Sequence, residues 1–254
     1  DNEVKDIIHY IYPEKYPINP NNKYKYQIVS NKNGIDVDRF DYLMRDIKMT
    51  GFNYGIEYER IMNHSKIEKN EIIYSEKVKT NIEEFFRIRY IMYKEVYNHR
   101  TVRGIEFMMK DFIELFSKIY SIDEVIQSDD WENFNQLNDS IIHINNFNKN
   151  LSEEEIQMKD IIHRLMDRTI YKYIGEILFD SDINIDFEYD KDKVIIDKIV
   201  INCNDYEVCK YYQDKKVINT IKDKIKEKVY IVRVYSKNNE YIEYASNLFN
   251  LLHQ

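Results

Sequence analysis

Hydrophobic residues fall at helical spacing through most of these 254 residues and switch to alternation near the end. In the opening DNEVKDIIHYIYPEKYP, Val4, Ile7, Ile8 and Ile11 share one face, predicting a short amphipathic helix stopped by Pro13. A polar linker with Pro17, Pro20 and Asn19, Asn21 and Asn22 follows. YKYQIVSNK then leads into a helix from about Ile35 to Met49, closed near Gly51. SKIEKNEIIYSEK alternates polar and apolar residues about Lys69 and Asn70, as a hairpin does. From Asn81 to Tyr120 there is no proline and a single glycine, Gly104. Phe85, Ile88, Met92, Val96, Phe107, Met108, Phe112 and Phe116 recur there at helical spacing, predicting a long helix broken near NHRT. Two more helices are expected at Asp129–Phe147 and Glu153–Ile174, the second with a break near Asp167.

After Ser181 the pattern changes. INIDFEYD, KVIIDKIVINC and KVYIVRVYS read as strands, with helices expected at Asp214–Lys226 and Asn239–Leu252. The fold class that follows is mainly α: a helical body with a β-hairpin over residues 1–181, then a small α+β lobe over 182–254. KVINTIKDKIKEK reads as a solvated helix face rather than an interaction tail.

Composition narrows the function classes. At 43% hydrophobic and 14% aromatic the chain is globular, and no apolar run approaches a membrane span, so a soluble protein is expected. A net charge of −8 argues against broad binding to nucleic acid or anionic membrane, and leaves room for a local basic pocket. Cys203 and Cys209 are too few for a disulfide scaffold or zinc ribbon, which suits an intracellular setting, cytoplasmic or nuclear. The sequence begins at Asp1 rather than methionine, as a piece of a longer chain would. The six histidines are scattered, and no glycine-rich phosphate loop or Gly-x-Ser-x-Gly elbow occurs.

Two polar constellations remain. In NGIDVDRFDYLMRD, Asp38, Tyr42 and Arg45 fall at i, i+4 and i+7 of a helix, with Asp46 beside them. The residues alone fit either an acidic helix start with an ordinary charged face, or a carboxylate metal ligand beside a phosphate-binding base and a stacking ring. In RIRYIMYKEVYNHRTVRGIEFM, Arg89, Tyr93 and Tyr97 form an i, i+4, i+8 ladder continued by Asn98 and Arg100. Guanidinium offers forked donors to phosphate and a phenol offers a stacking face with a polar tip. Tyrosines half-buried between helices fit the same pattern.

NGIDVDRFDYLMRD, then YKEVYNHRTVRGIEFMMKD, then YKYIGE, resembles the HD-domain deoxynucleoside triphosphate triphosphohydrolase family, in the C-terminal half of its members that couple a sterile-alpha-motif domain to an HD domain. The likeness runs from about Val4 to the end of the chain, through YIVRVYSKNNEYIEYASNLF. It implies the C-terminal part of an HD-type helical domain and metal-assisted hydrolysis of deoxynucleoside triphosphates to deoxynucleoside and triphosphate. Asp38 matches the last aspartate of the family's His…His-Asp…Asp metal set. Arg39 matches a phosphate-contacting base, Tyr42 a ring against the nucleoside, and Asp46 the acceptor of the sugar 3′-hydroxyl. Arg89 matches a triphosphate-binding arginine, and Tyr97 the tyrosine whose closeness excludes a 2′-hydroxyl. Asn98 stands for a glutamine near the 3′-hydroxyl, and Tyr93 for an active-site histidine. The implied cofactor is iron, manganese or zinc, with magnesium on the triphosphate.

The family's upstream histidine, its His-Asp pair and its catalytic histidine have no counterpart here, so no catalytic residue is assigned within the chain. The resemblance then implies either that they stand on a preceding segment or that the protein is an inactive nucleotide-binding assembly module. It also implies a homo-oligomer, dimer or tetramer, assembled by an activating nucleotide such as GTP or dGTP. Arg60, Lys77, Asn81, Arg168 and Lys172 match its allosteric contacts, whereas Ser75 stands where an arginine is expected. Arg168 and Lys172, in DRTIYKYIGE, lie at i and i+4 of the expected helix, a cationic pair that can grip phosphate, and a solvated helix face fits the same spacing.

Overall fold

In a computed structural model the described residues are 2–13, 15–16, 20–128, 130–143, 151–185, 187–202, 209–213, 216–219 and 228–253. They are mainly α, as expected, with ten α-helices and seven short strands among them. Two compact units form: residues 1–97, 179–182 and 200–230 in the first, 98–178, 183–199 and 231–254 in the second.

The first unit contains α1 (Asn2–Ile11), α2 (Lys23–Val29), α3 (Val37–Thr50), α4 (Tyr58–Asn63) and α5 (Lys79–Met92). A four-stranded sheet, β1 (Ser65–Glu68), β2 (Glu71–Ser75), β5 (Lys210–Gln213) and β6 (Lys216–Asn219), pairs in that order. The hairpin turns at Lys69 and Asn70, whose φ of 49° and 62° suit the two-residue turn that matches strand twist. β2 runs parallel to β5, pairing Tyr74 with Tyr211. One core joins Phe40, Leu43 and Ile47 of α3 to Ile82, Phe85, Ile88 and Met92 of α5, with Tyr74, Cys209 and Tyr211 from the sheet. Residues three and four apart on α3 and α5 supply it, so the helical spacing in the sequence is the spacing of the core.

The second unit is built on α6 (Arg100–Tyr120), which packs on α9 (Glu153–Met166) through Met108, Phe112, Phe116, Met158 and Ile161. The three-stranded sheet orders β3 (Lys172–Phe179), β7 (Lys228–Ser236) and β4 (Val194–Asn202), and α10 (Ile242–Leu252) adds Ala245 and Leu248 to a core with Val194 and Val234. Inside it the Arg103 guanidinium grips the buried Asp197 carboxylate with two hydrogen bonds, 3.0 and 2.8 Å. A buried carboxylate left without that fork would be costly.

Several expected elements differ. The helix foreseen to Ile174 ends at Met166, because Arg168 turns to φ 58° and Thr169 N–H closes on the Arg164 carbonyl. KYIGEILF then runs as β3: a tyrosine, two isoleucines and a phenylalanine suit a strand better than a helix. The helix foreseen at Asp129–Phe147 is α8 (Trp131–Gln136) followed by a 3-10 turn at Asp139–His143, with 129 and 144–147 outside the described residues. INIDFEYD forms no regular element among its described residues. Of the helix foreseen at Asp214–Lys226, the described part is strand β6, and Cys203 lies outside the described residues. The break near NHRT is real: the chain makes a π-helical turn at Tyr93–Tyr97, and His99 caps α6. Among the described residues no helix is long and apolar enough to cross a membrane.

Candidate functional site

The site grows from the start of α3. Asp36 caps that helix, accepting from Arg39 N–H at 2.9 Å. A tight polar turn precedes it: Asn31 N–H donates to Asp36 Oδ2 at 3.1 Å, the Asn31 amide to the Ile35 carbonyl at 2.9 Å, and Ile35 N–H to Asn33 Oδ1 at 3.1 Å. Gly34 carries φ 79°, a backbone that favours glycine. The aspartate run therefore divides its work: Asp36 caps, Asp38 sits exposed on the first turn, and Asp41 pairs with Arg45 at 3.2 Å.

Tyr42 and Asp46, one turn apart on α3, meet the end of α5. The Tyr97 hydroxyl donates to Asp46 Oδ2 at 2.7 Å, and Arg45 Nε lies 3.2 Å from Asp46 Oδ1. The Tyr97 ring is edge-on to Tyr93 at 5.3 Å and to Tyr42 at 6.3 Å. Arg89, only 7% exposed, places its guanidinium 5.1 Å from the Tyr93 ring centre. Burial pushes the Tyr42 phenol up, Tyr93 adds to the rise, and a hydrogen bond with Arg89 opposes it. Burial raises the Tyr97 phenol as well, reinforced by its hydrogen bond to the Asp46 carboxylate. Both hydroxyls thus stay protonated as donors at neutral pH, inside a wall of one buried cation, three rings and one carboxylate. The π-helical turn re-aims Tyr93 and Tyr97 toward α3, and such turns recur at functional sites.

The structure thus brings together Tyr42, Asp46, Arg89, Tyr93 and Tyr97. Arg39 is half-buried one turn before Tyr42, its guanidinium paired with Asp36. Asn98 belongs to the second unit, where its carbonyl accepts from Arg233. Asp38 has no ligand partners: among the described residues no three His, Cys, Asp or Glu side chains gather to hold a metal. The described residues do not by themselves form a metal centre.

The second set divides between the units. Arg60 and Asn81 of the first unit converge on Glu57, a residue the sequence reading passed over: Asn81 donates to its Oε2 at 2.8 Å and Arg60 Nε lies 3.9 Å away. The i, i+3 spacing of Glu57 and Arg60 was the available signal. Lys77 is exposed on the 3-10 turn after β2. Arg168 and Lys172 do not share a helix face, contrary to expectation; Arg168 sits in the turn after α9 and Lys172 opens β3. Two cavities in the first unit, about 520 and 390 Å³, open on a different face of α3 beside Val37, Phe40 and Met62. None of Tyr42, Asp46, Tyr93 or Tyr97 lines either one.

The family model described as the HD associated region matches residues 56–252. The chain belongs to that family. A putative HD domain-containing protein of Acanthamoeba polyphaga mimivirus is 38% identical over 180 residues, covering 63% of this chain and 38% of its own length. The deoxynucleoside triphosphate triphosphohydrolase SAMHD1 homolog of Dictyostelium discoideum is 32% identical over 156 residues, covering 61% of this chain and 29% of itself. Human SAMHD1 is 31% identical over 180 residues, 63% of this chain and 28% of itself. This HD associated region thus spans less than two fifths of those relatives. Its fold matches the crystal structure of a hypothetical protein from Aquifex aeolicus with a TM-score of 0.70 at 18% identity, over 97% of this chain and 64% of that one.

Proposed function

We propose that this HD associated region forms the nucleotide-facing wall of a deoxynucleoside triphosphate triphosphohydrolase. The observation that carries the reading is the Tyr97 hydroxyl bonded to Asp46 at 2.7 Å beside Tyr42, Tyr93 and the buried Arg89. Curated relatives with 28–32% identity carry that activity in their names. Arg39 and Arg89 meet the triphosphate charge, and Tyr42 packs on the nucleoside. Asp46 accepts the 3′-hydroxyl, while Tyr97 lies under the deoxyribose where a 2′-hydroxyl would crowd it. Tyr93 fills the wall between Arg89 and Tyr97. In the reaction, water attacks the α-phosphorus and the bond to the 5′-oxygen breaks, releasing deoxynucleoside and intact triphosphate. Asp38 would be one ligand to the iron, manganese or zinc that would polarise the phosphate and activate water, with further ligands supplied from outside the described residues; magnesium would accompany the triphosphate.

A second reading is favoured by one observation, the lack of a gathered metal-ligand set among the described residues. In it the protein binds nucleotide without consuming it and serves as an assembly module. In either reading Arg60, Lys77 and Asn81, and separately Arg168 and Lys172, bind an activating GTP or dGTP and promote a dimer or tetramer.

The site is tested by equilibrium binding of dATP and ATP to the intact polypeptide. dATP binds more tightly, Tyr97→Ala removes most of that preference, and Asp46→Ala weakens both nucleotides alike. Equal affinity for the two nucleotides, or an unchanged preference in Tyr97→Ala, overturns the wall assignment.

A further inference from the structure

Asp36 is 4% exposed, yet it is a carboxylate. A buried charge is tolerated when it is paired and hydrogen-bonded. Its Oδ1 accepts from Arg39 N–H at 2.9 Å, and its Oδ2 accepts from Asn31 N–H at 3.1 Å and from Arg39 Nη1. One carboxylate therefore holds both the backbone and the guanidinium of Arg39, whose side chain keeps 27% of its surface open to solvent. A cap needs only the first of these contacts; Ser, Thr or Asn serves as well there. The ion pair to the side chain is what the aspartate adds. One guanidinium nitrogen is anchored to the turn while the side chain stays partly open to solvent.

We infer that Asp36 is a positioning residue for Arg39, fixing its guanidinium for the phosphate chain of the nucleotide; this rests on the reading of Arg39 given above. A long cation held in one rotamer loses less freedom when it binds an oxyanion than one that samples many. Asp36 does not touch the nucleotide. Its effect passes through Arg39 and is confined to ligands that carry phosphate.

The experiment is a double-mutant cycle read by calorimetric titration of dGTP and of deoxyguanosine into the intact polypeptide. Asp36→Asn keeps the capping oxygen and removes the charge. It lowers affinity for dGTP about tenfold, the worth of one charged hydrogen bond, and leaves deoxyguanosine binding unchanged. Arg39→Ala does the same, and adding Asp36→Asn to it costs nothing further. Equal losses for dGTP and deoxyguanosine in Asp36→Asn would reveal a purely structural role and overturn the inference. So would losses that add in the double variant. If Arg39→Ala itself leaves dGTP binding intact, the phosphate reading of Arg39 has failed; if it weakens binding and Asp36→Asn does not, only the positioning role has. Asp36→Ser, which also caps without charge, is the second variant should Asp36→Asn melt early, and the same outcomes apply to it.

Discussion

Replacing Tyr97 by phenylalanine deletes one oxygen and leaves the ring in place. The lost group is the hydroxyl that donates to Asp46 Oδ2 at 2.7 Å, joining the turn after α5 to α3. A hydrogen bond to a carboxylate contributes about 1.5–3 kcal/mol when dry. Asp46 is 25% exposed and keeps Arg45 at 3.2 Å, so it is not orphaned by the change. The expected cost therefore falls to about 1–2 kcal/mol, a drop of roughly 2–8 °C in melting temperature for a chain of this size. The pH dependence has a definite sign. The Tyr97 phenol is raised in the fold by burial and by Asp46. Its contribution is then complete below the ordinary tyrosine value of about 10 and is lost as pH rises through the folded value. Thermal melts of the intact polypeptide and of Tyr97→Phe should show the same gap at pH 7 and pH 9. Melting points within about 1 °C of each other at pH 7 would refute the bond and, with it, the bridge that shapes the wall.

Glu71 accepts from Lys210 and from Lys23, which hold its carboxyl below the ordinary range. Glu71→Gln should cost roughly 1 kcal/mol at neutral pH, and the melting difference should shrink as pH falls from the unfolded value of about 4.3 through the depressed folded one. At Gly175 an added methyl would collide with the Phe249 ring, 2.8 Å from both Cε1 and Cε2. Gly175→Ala should therefore destabilise by about 1–3 kcal/mol, measured by urea unfolding, and Phe249→Leu should recover part of the loss. Asp38 is exposed, so Asp38→Ala should leave the melting temperature unchanged while lowering metal content in atomic absorption of the intact protein; unchanged metal content would remove it from the ligand set.

The parts of the fold written in local periodicity were legible. Phe40, Leu43 and Ile47 on α3, and Phe85, Ile88 and Met92 on α5, are buried where the i, i+3, i+4 rule places them. Lys228–Ser236 is a strand end to end, as its β-branched and aromatic run predicts. YKYIGEILF misled because the break expected near Asp167 carries no glycine or proline to mark it as a stop, so the apolar residues beyond it read as more helix. The stop is made by Arg168 in a left-handed backbone rather than by glycine or proline. β6 pairs locally with β5, Gln213 opposite Lys216, but was hidden because its lysine-rich flank resembles a helix face and because β5 itself is held by long-range pairing with β2.

The candidate site was legible in part for the same reason. Arg89 and Tyr93 are one helical turn apart, so spacing alone brings them together, whereas the π-helical turn that places Tyr97 beside Tyr93 is not written in an i, i+4 pattern. That Tyr97 reaches Asp46, 51 residues away, is a property of how α5 packs on α3 and is written in no local pattern. The bond from Asn81 to Glu57, 24 residues away, escaped for the same reason, whereas the i, i+3 pairing of Glu57 with Arg60 was there to be read.

The hydrolase is tested by chromatography of products after the intact polypeptide is incubated with dGTP, with and without GTP, in manganese and again in EDTA. Deoxyguanosine and inorganic triphosphate should appear in manganese and neither in EDTA. Unchanged dGTP from a folded sample supplied with metal and all four deoxynucleotides would contradict the hydrolase and leave the nucleotide-binding module.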